Sequence, residues 1–173
     1  HPWLQRTQLF EAIRDSEGRV NYRDATDDAG PGLAPLRSAR GIALADADDD
    51  GDVDALVVDL DERPRLLENR SVRKGAWVSV HLVGAARPGA PKGSNRDGYG
   101  ARVSVTAGDR TWVREMRVSQ GVYSSSDPRL HFGLGAVSRI DRIEIRWPSG
   151  REQTIDSPPL GRVLTIHEPE AAR

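Results

Sequence analysis

Trp77-Val78-Ser79-Val80-His81-Leu82-Val83 alternates apolar Val78, Val80 and Leu82 with polar Ser79 and His81. Successive side chains of a strand point to opposite faces, so a period of two marks a half-buried β-strand rather than a helix. The same reading extends outward. Ala101–Ala107, Thr111–Val118, Arg142–Trp147, Glu152–Ile155 and Val163–His167 are short runs rich in Val, Ile and Thr, bounded by Gly, Pro, Asp and Ser. Ala107-Gly108-Asp109-Arg110 reads as a hairpin turn, and Trp147-Pro148-Ser149-Gly150 as a tight turn before the next run. Strands 77–83 and 101–107, on either side of a loop-rich stretch at 85–98, are expected to pair. Gln8-Leu9-Phe10-Glu11-Ala12-Ile13-Arg14 alone has the reading of a short helix, stopped at once by Ser16-Glu17-Gly18. The expected fold class is all-β.

Asp46-Ala47-Asp48-Asp49-Asp50-Gly51-Asp52-Val53-Asp54 carries the chemistry. Calcium takes six to eight oxygens at about 2.3–2.6 Å, and alternate residues of a tightly turned loop can aim that many at one centre. Asp46, Asp48 and Asp50 would each give a side-chain oxygen, Asp52 its backbone carbonyl, and Asp54 a further carboxylate. Gly51 permits the sharp bend, because glycine alone tolerates positive φ without a Cβ clash. The alternative is a metal-free acidic turn, since charge runs are usually just solvated. Against it, residues 41–61 hold eight Asp and no Lys or Arg, between the apolar runs 41–45 and 55–58. Packing so much like charge there is self-repulsive unless a cation neutralises it. An EF-hand does not fit, because position 12 is Val57 rather than Glu and the flanks are β-like.

The 173 residues suffice for one or two small domains with real cores. A formal net charge of −1 gives no global field to select nucleic acid, and no cysteine is present to form disulfides, thiolate zinc sites or nucleophiles. No stretch approaches the roughly 20 apolar residues of a membrane span, and no charged-then-apolar leader precedes His1, so membrane insertion is not expected and any signal peptide has been removed or lies outside this sequence. A calcium site of ordinary affinity fills where calcium is abundant, which places the chain outside the cytoplasm: extracellular or periplasmic. Leu9-Phe10-Glu11-Ala12 echoes in Leu66-Leu67-Glu68-Asn69, 57 residues on, about one four-stranded propeller blade with a long loop. The boundary between the two parts is expected near 70–75.

Residues 9–69, with Leu9-Phe10, Asp24-Ala25-Thr26, Ala29-Gly30, Arg40-Gly41 and the Asp46–Asp54 loop, resemble one FG-GAP (VCBS-type) propeller repeat, the loop type carried by integrin α-chain propellers. Residues 77–168 resemble the ASPIC/UnbV domain of the cartilage acidic protein-like family. The carrying motifs are Asn95-Arg96-Asp97-Gly98-Tyr99-Gly100-Ala101, Gly121-Val122-Tyr123-Ser124-Ser125-Ser126, Leu130-His131-Phe132-Gly133-Leu134-Gly135 and Trp147-Pro148-Ser149-Gly150. The resemblance implies one calcium-binding blade at 1–70, an antiparallel β-sandwich-like domain at 75–168 and a tail at 169–173. It also implies an exported, calcium-stabilised interaction module with no general catalytic activity. A single blade cannot close a ring, and Ile42, Leu44, Leu56 and Val58 must be buried somewhere, so a protein partner or self-association through residues 1–70 is expected.

Other groups have bland and sharp readings. Asn95 and Asp97 offer oxygens two residues apart for a second polar site, or simply form a turn. Ser124-Ser125-Ser126-Asp127 could bind a glycan, but such groups habitually cap backbone. His131 reads as a packed, hydrogen-bonded histidine and Trp147 as a core residue at a strand end. His1 could chelate copper with His81, His131 or His167, making an exported copper oxidative enzyme one alternative and a carbohydrate-active enzyme another. No nucleophile elbow, His-Glu-x-x-His or phosphate loop is present.

Overall fold

The computed structural model describes residues 3–72, 75–86, 93–117, 119, 121 and 124–170. The copper reading of His1 and the start of the Gly121–Ser126 motif at Val122 and Tyr123 lie outside these residues. The all-β expectation holds: the described residues form strands and one 3₁₀ turn at Pro31–Leu33, with no α-helix.

Within residues 3–70 the strands form three small sheets. Strands β1 (Gln5–Arg6) and, later in the chain, β4 (Leu36–Arg37) pair antiparallel. Strands β2 (Phe10–Arg14) and β3 (Val20–Asp24) form a hairpin in full register, Phe10 opposite Asp24 and Arg14 opposite Val20. This overturns the helical reading of 8–14, and the reason is local. Asp15 Oδ1 accepts the Glu17 amide at 3.0 Å and the Arg19 amide at 2.9 Å, and Gly18 takes φ 78°, so the chain reverses. Two turns of isolated helix cannot offset the cost of nucleation, whereas the hairpin finds a partner at once. The third sheet runs β5 (Ala39–Ala45), β6 (Asp54–Asp59) and β7 (Arg65–Leu67), antiparallel throughout, and the acidic loop is its β5–β6 turn.

The remaining strands build the larger unit. Strands β8 (Ala76–Val83), β9 (Arg102–Ala107), β10 (Arg110–Glu115), β11 (Leu130–Gly135), β12 (Arg142–Arg146), β13 (Glu152–Asp156) and β14 (Val163–His167) divide between two sheets, ordered β10-β9-β12-β13 and β11-β8-β14. The Gly108 hairpin joins β9 to β10 as expected. The expected pairing of 77–83 with 101–107 does not occur. Instead β8 and β9 belong to opposing sheets, because Val78, Val80 and Leu82 on one and Val103 and Val105 on the other are all fully buried in one shared core. Bringing β8 against β9 edge to edge would leave both apolar rows without a facing layer. A second difference is that the three-stranded sheet is mixed: β14 runs parallel to β8, with Val163 opposite Ser79 and His167 opposite Val83.

Phe132, Leu134, Ile143, Ile145 and Trp147 complete the core. Each such side chain stabilises by about 1.5–3 kcal/mol relative to exposure. Trp147 is 2 % exposed and donates its indole N–H to Gln153 Oε1 at 3.0 Å, so the ring is packed and its polar atom satisfied.

Candidate metal centre

The acidic loop leaves β5 at Ala45 and turns on its own carboxylates. Asp46 is nearly buried; its Oδ1 accepts the Asp50 amide at 3.1 Å and its Oδ2 the Gly51 amide at 3.0 Å. Asp48 Oδ1 also accepts the Asp50 amide at 3.3 Å, and Asp50 Oδ1 accepts the Asp52 amide at 2.9 Å. Each aspartate thus folds back on the amide two or more residues ahead, which is why Asp is the residue type that can build such a turn. Gly51 takes φ 96°, and a Cβ there would overlap the Trp77 indole.

The result is convergence. Asp46, Asp48 and Asp50 each present one carboxylate oxygen, and the three lie within 4.8 Å of one another. Two oxygens on opposite sides of one calcium ion stand at most about 5 Å apart, so this spacing fits a single hard cation. Asp54 is buried and acts first as a staple: Oδ2 accepts the Ala47 amide at 2.9 Å and Oδ1 the Asn69 amide at 2.8 Å, tying the loop to the segment after β7. Asp52 and Asp54 stand outside the three-carboxylate group.

Three residues invisible as partners in the sequence form the wall behind the loop. Arg129, from the turn before β11, pairs with Asp49, donates Nη2–H to the Asp46 carbonyl at 2.7 Å and is held by Asp127 through Nε–H at 2.6 Å. These contacts, the Asp127 bond foremost, push its pKa further up. His131 stacks on Trp77 with ring centres 5.8 Å apart, and its Nδ1 lies 3.0 Å from Ser79 Oγ. Burial pushes the His131 pKa down, against the pull of Asp46, so the imidazole is neutral near pH 7. Burial also raises the Asp46 pKa, only partly offset by the Gly51 and Asp50 amides. No base stands nearby in sequence, yet one stands nearby in space.

The backbone joins the two halves at the same place. Asp127 N–H donates to Leu44 O at 2.9 Å, and Ser126 Oγ accepts the Leu44 amide at 3.2 Å. Ser126 therefore caps backbone, but 82 residues away rather than locally. At the suggested second polar site, Asn95 closes its own turn, accepting the Tyr99 amide and donating to the Tyr99 carbonyl, each at 2.8 Å. Asp97 pairs with Arg96 at 2.9 Å, which lowers the Asp97 pKa. The turn thus occupies the Asn95 side chain, and the Arg96 ion pair occupies that of Asp97.

Compared with known families, residues 91–173 match the family model described as ASPIC and UnbV. The match begins after β8, although β8 is the central strand of the sheet that β11 and β14 complete. No curated protein matches the chain.

Proposed function

We propose that this chain is an exported, non-catalytic interaction module whose N-terminal part is an FG-GAP/VCBS-type repeat holding one calcium ion. The observation that carries the reading is the convergence of Asp46, Asp48 and Asp50 within 4.8 Å on a turn braced from behind by Trp77 and Arg129. The Asp52 carbonyl and the Asp54 carboxylate complete the proposed ligand set. The ion would stiffen the β5–β6 turn at the place where the two parts meet, and exposed apolar residues on the β5–β6–β7 sheet would receive a protein partner or a second copy.

Because the ion binds only the folded loop, it adds RT ln(1 + [Ca]/Kd), about 2.7 kcal/mol at a hundredfold excess over Kd. Calorimetric titration of the decalcified chain should show one calcium per chain, and chelation should lower the melting temperature clearly. Asp48→Asn and Asp50→Asn should mimic chelation without unfolding the protein, since both residues are exposed. Superimposable melting curves with calcium and with chelator would sink the site. Stoichiometric copper in the purified chain would instead restore the oxidative alternative.

A further inference from the structure

A cleft of about 550 Å³ lies between the β5–β6 turn and the β10 edge of the larger unit. That volume suits a small organic ligand. Its apolar wall is aliphatic: Leu44, Val53 and Val113 line it, and all three are more than a third exposed. Among the described residues no free aromatic face is offered there, because Trp77 stacks on His131 and Phe132 is buried.

The charged lining is unevenly paired. Glu115 meets Arg117 at 3.4 Å, Asp127 meets Arg129, and the Asp46 oxygens accept the Asp50 and Gly51 amides. The Arg114 side chain has no ion pair or hydrogen bond among the described residues, while its backbone pairs opposite Val103. Its guanidinium is nevertheless positioned, 5.7 Å from the Phe132 ring centre. Across the cleft His131 uses Nδ1 on Ser79, leaving Nε2 without a hydrogen-bond partner among the described residues. An arginine with all five donors open, beside aliphatic side chains, matches an anionic planar group on an apolar body.

The geometry points to a binding site for a small amphipathic carboxylate, its acid group on Arg114 and its aliphatic body against Leu44, Val53 and Val113. The cleft borders the proposed calcium site at Asp46, but the contacts to Arg114 and to the aliphatic wall do not need the ion. Two sources share the chemistry: a free branched-chain acid, and the C-terminal carboxylate of a peptide ending in an aliphatic residue.

Titration of the isotope-labelled full chain with 4-methylpentanoate, and separately with acetyl-Ala-Leu, tests the site by amide shifts. Either acid should move the Leu44, Val113 and Arg114 resonances; binding of only one of them identifies the source. The matching amides, 4-methylpentanamide and acetyl-Ala-Leu-amide, should bind about tenfold more weakly, as the loss of a charge-assisted pair requires. Arg114→Gln should weaken the acids by a similar factor while leaving the amides unchanged, and Arg114→Lys should restore part of the loss. Val113→Glu, on an exposed position, should abolish acid binding by setting a competing carboxylate in the cleft. The proposal is overturned if neither acid shifts these resonances at millimolar concentration, if acids and amides bind alike, or if Arg114→Gln binds as tightly as the parent.

Discussion

On the buried carboxylate of Glu168 five donors converge: the Ala85 and Ser94 amides at 2.8 and 2.7 Å, the Ser94 and Ser149 hydroxyls, and the Arg151 guanidinium at 2.8 Å. Burial alone would raise its pKa, but the bonds from Ser149, Ala85 and Ser94 outweigh it and hold the group at about 2, against an ordinary value of 4.5. The charged form is therefore the stabilising one. Its contribution is complete above pH 4.5 and is lost as pH falls toward about 2. Glu168→Gln should cost about 2–3 kcal/mol in urea unfolding at neutral pH, because it leaves donors facing a neutral amide. The gap between parent and variant should close as the pH is lowered through that window; a gap of constant size would show that charge is not what matters there. Nothing in Ile166-His167-Glu168-Pro169 announces this role, since the donors come from two distant connections, β8–β9 and β12–β13. Asp46, Asp48 and Asp50 were legible for the opposite reason: the amides they accept lie two to five residues away. Arg129 was not, because its bond to Asp46 spans 83 residues.

At the level of elements, two glycine turns separate the cost of backbone strain from the cost of crowding. Gly51 and Gly108 both have positive φ, 96° and 60°, but a Cβ at Gly108 meets nothing within 4 Å whereas one at Gly51 overlaps Trp77. Gly108→Ala should cost about 1–2 kcal/mol, the strain of the left-handed region. Gly51→Ala should cost at least about twice that, since overpacking adds another 1–3 kcal/mol. It should also weaken calcium uptake, because the turn must lift away from β8. Equal losses in urea unfolding would show that the loop does not rest on Trp77. Six of the seven strands from 76 onward were readable because alternation and turn residues act over short stretches; β11 was not, since Gly133 and Gly135 break up its run. The partners of β8 were not, as β14 lies some eighty residues on and a period of two does not say which edge a strand joins. The 8–14 segment misled because seven residues carry too little pattern to choose between helix and strand.

Seen as a whole molecule, the protein has one well-covered core, and among the described residues the small N-terminal sheets, β5–β6–β7 included, keep apolar side chains exposed. Residues opposite each other in antiparallel strands share a face, so Ile42 and Leu44 emerge on one side of the β5–β6–β7 sheet and Leu56 and Leu66 on the other. All four remain exposed, Leu66 at 60 %. A sheet apolar on both faces is made to lie between layers, as blades do in a propeller. The chain should therefore show a mass that rises with concentration in light scattering, and Leu66→Lys should lower it by interrupting one face. A mass that stays that of a single chain throughout would remove self-association, leaving a different polypeptide as the only cover.

The parallel pairing of β8 with β14 also fixes how the larger unit answers to a pull. The chain enters through β8 and leaves through β14, and five residue pairs from Val163–Ser79 to His167–Val83 lie side by side along the same direction. Tension applied before Ala76 and after His167 drags the two strands past each other lengthwise. The bonds between them are then loaded together rather than opened one after another from an end. Any pull transmitted through the chain along this axis would be carried by β14 as a bolt.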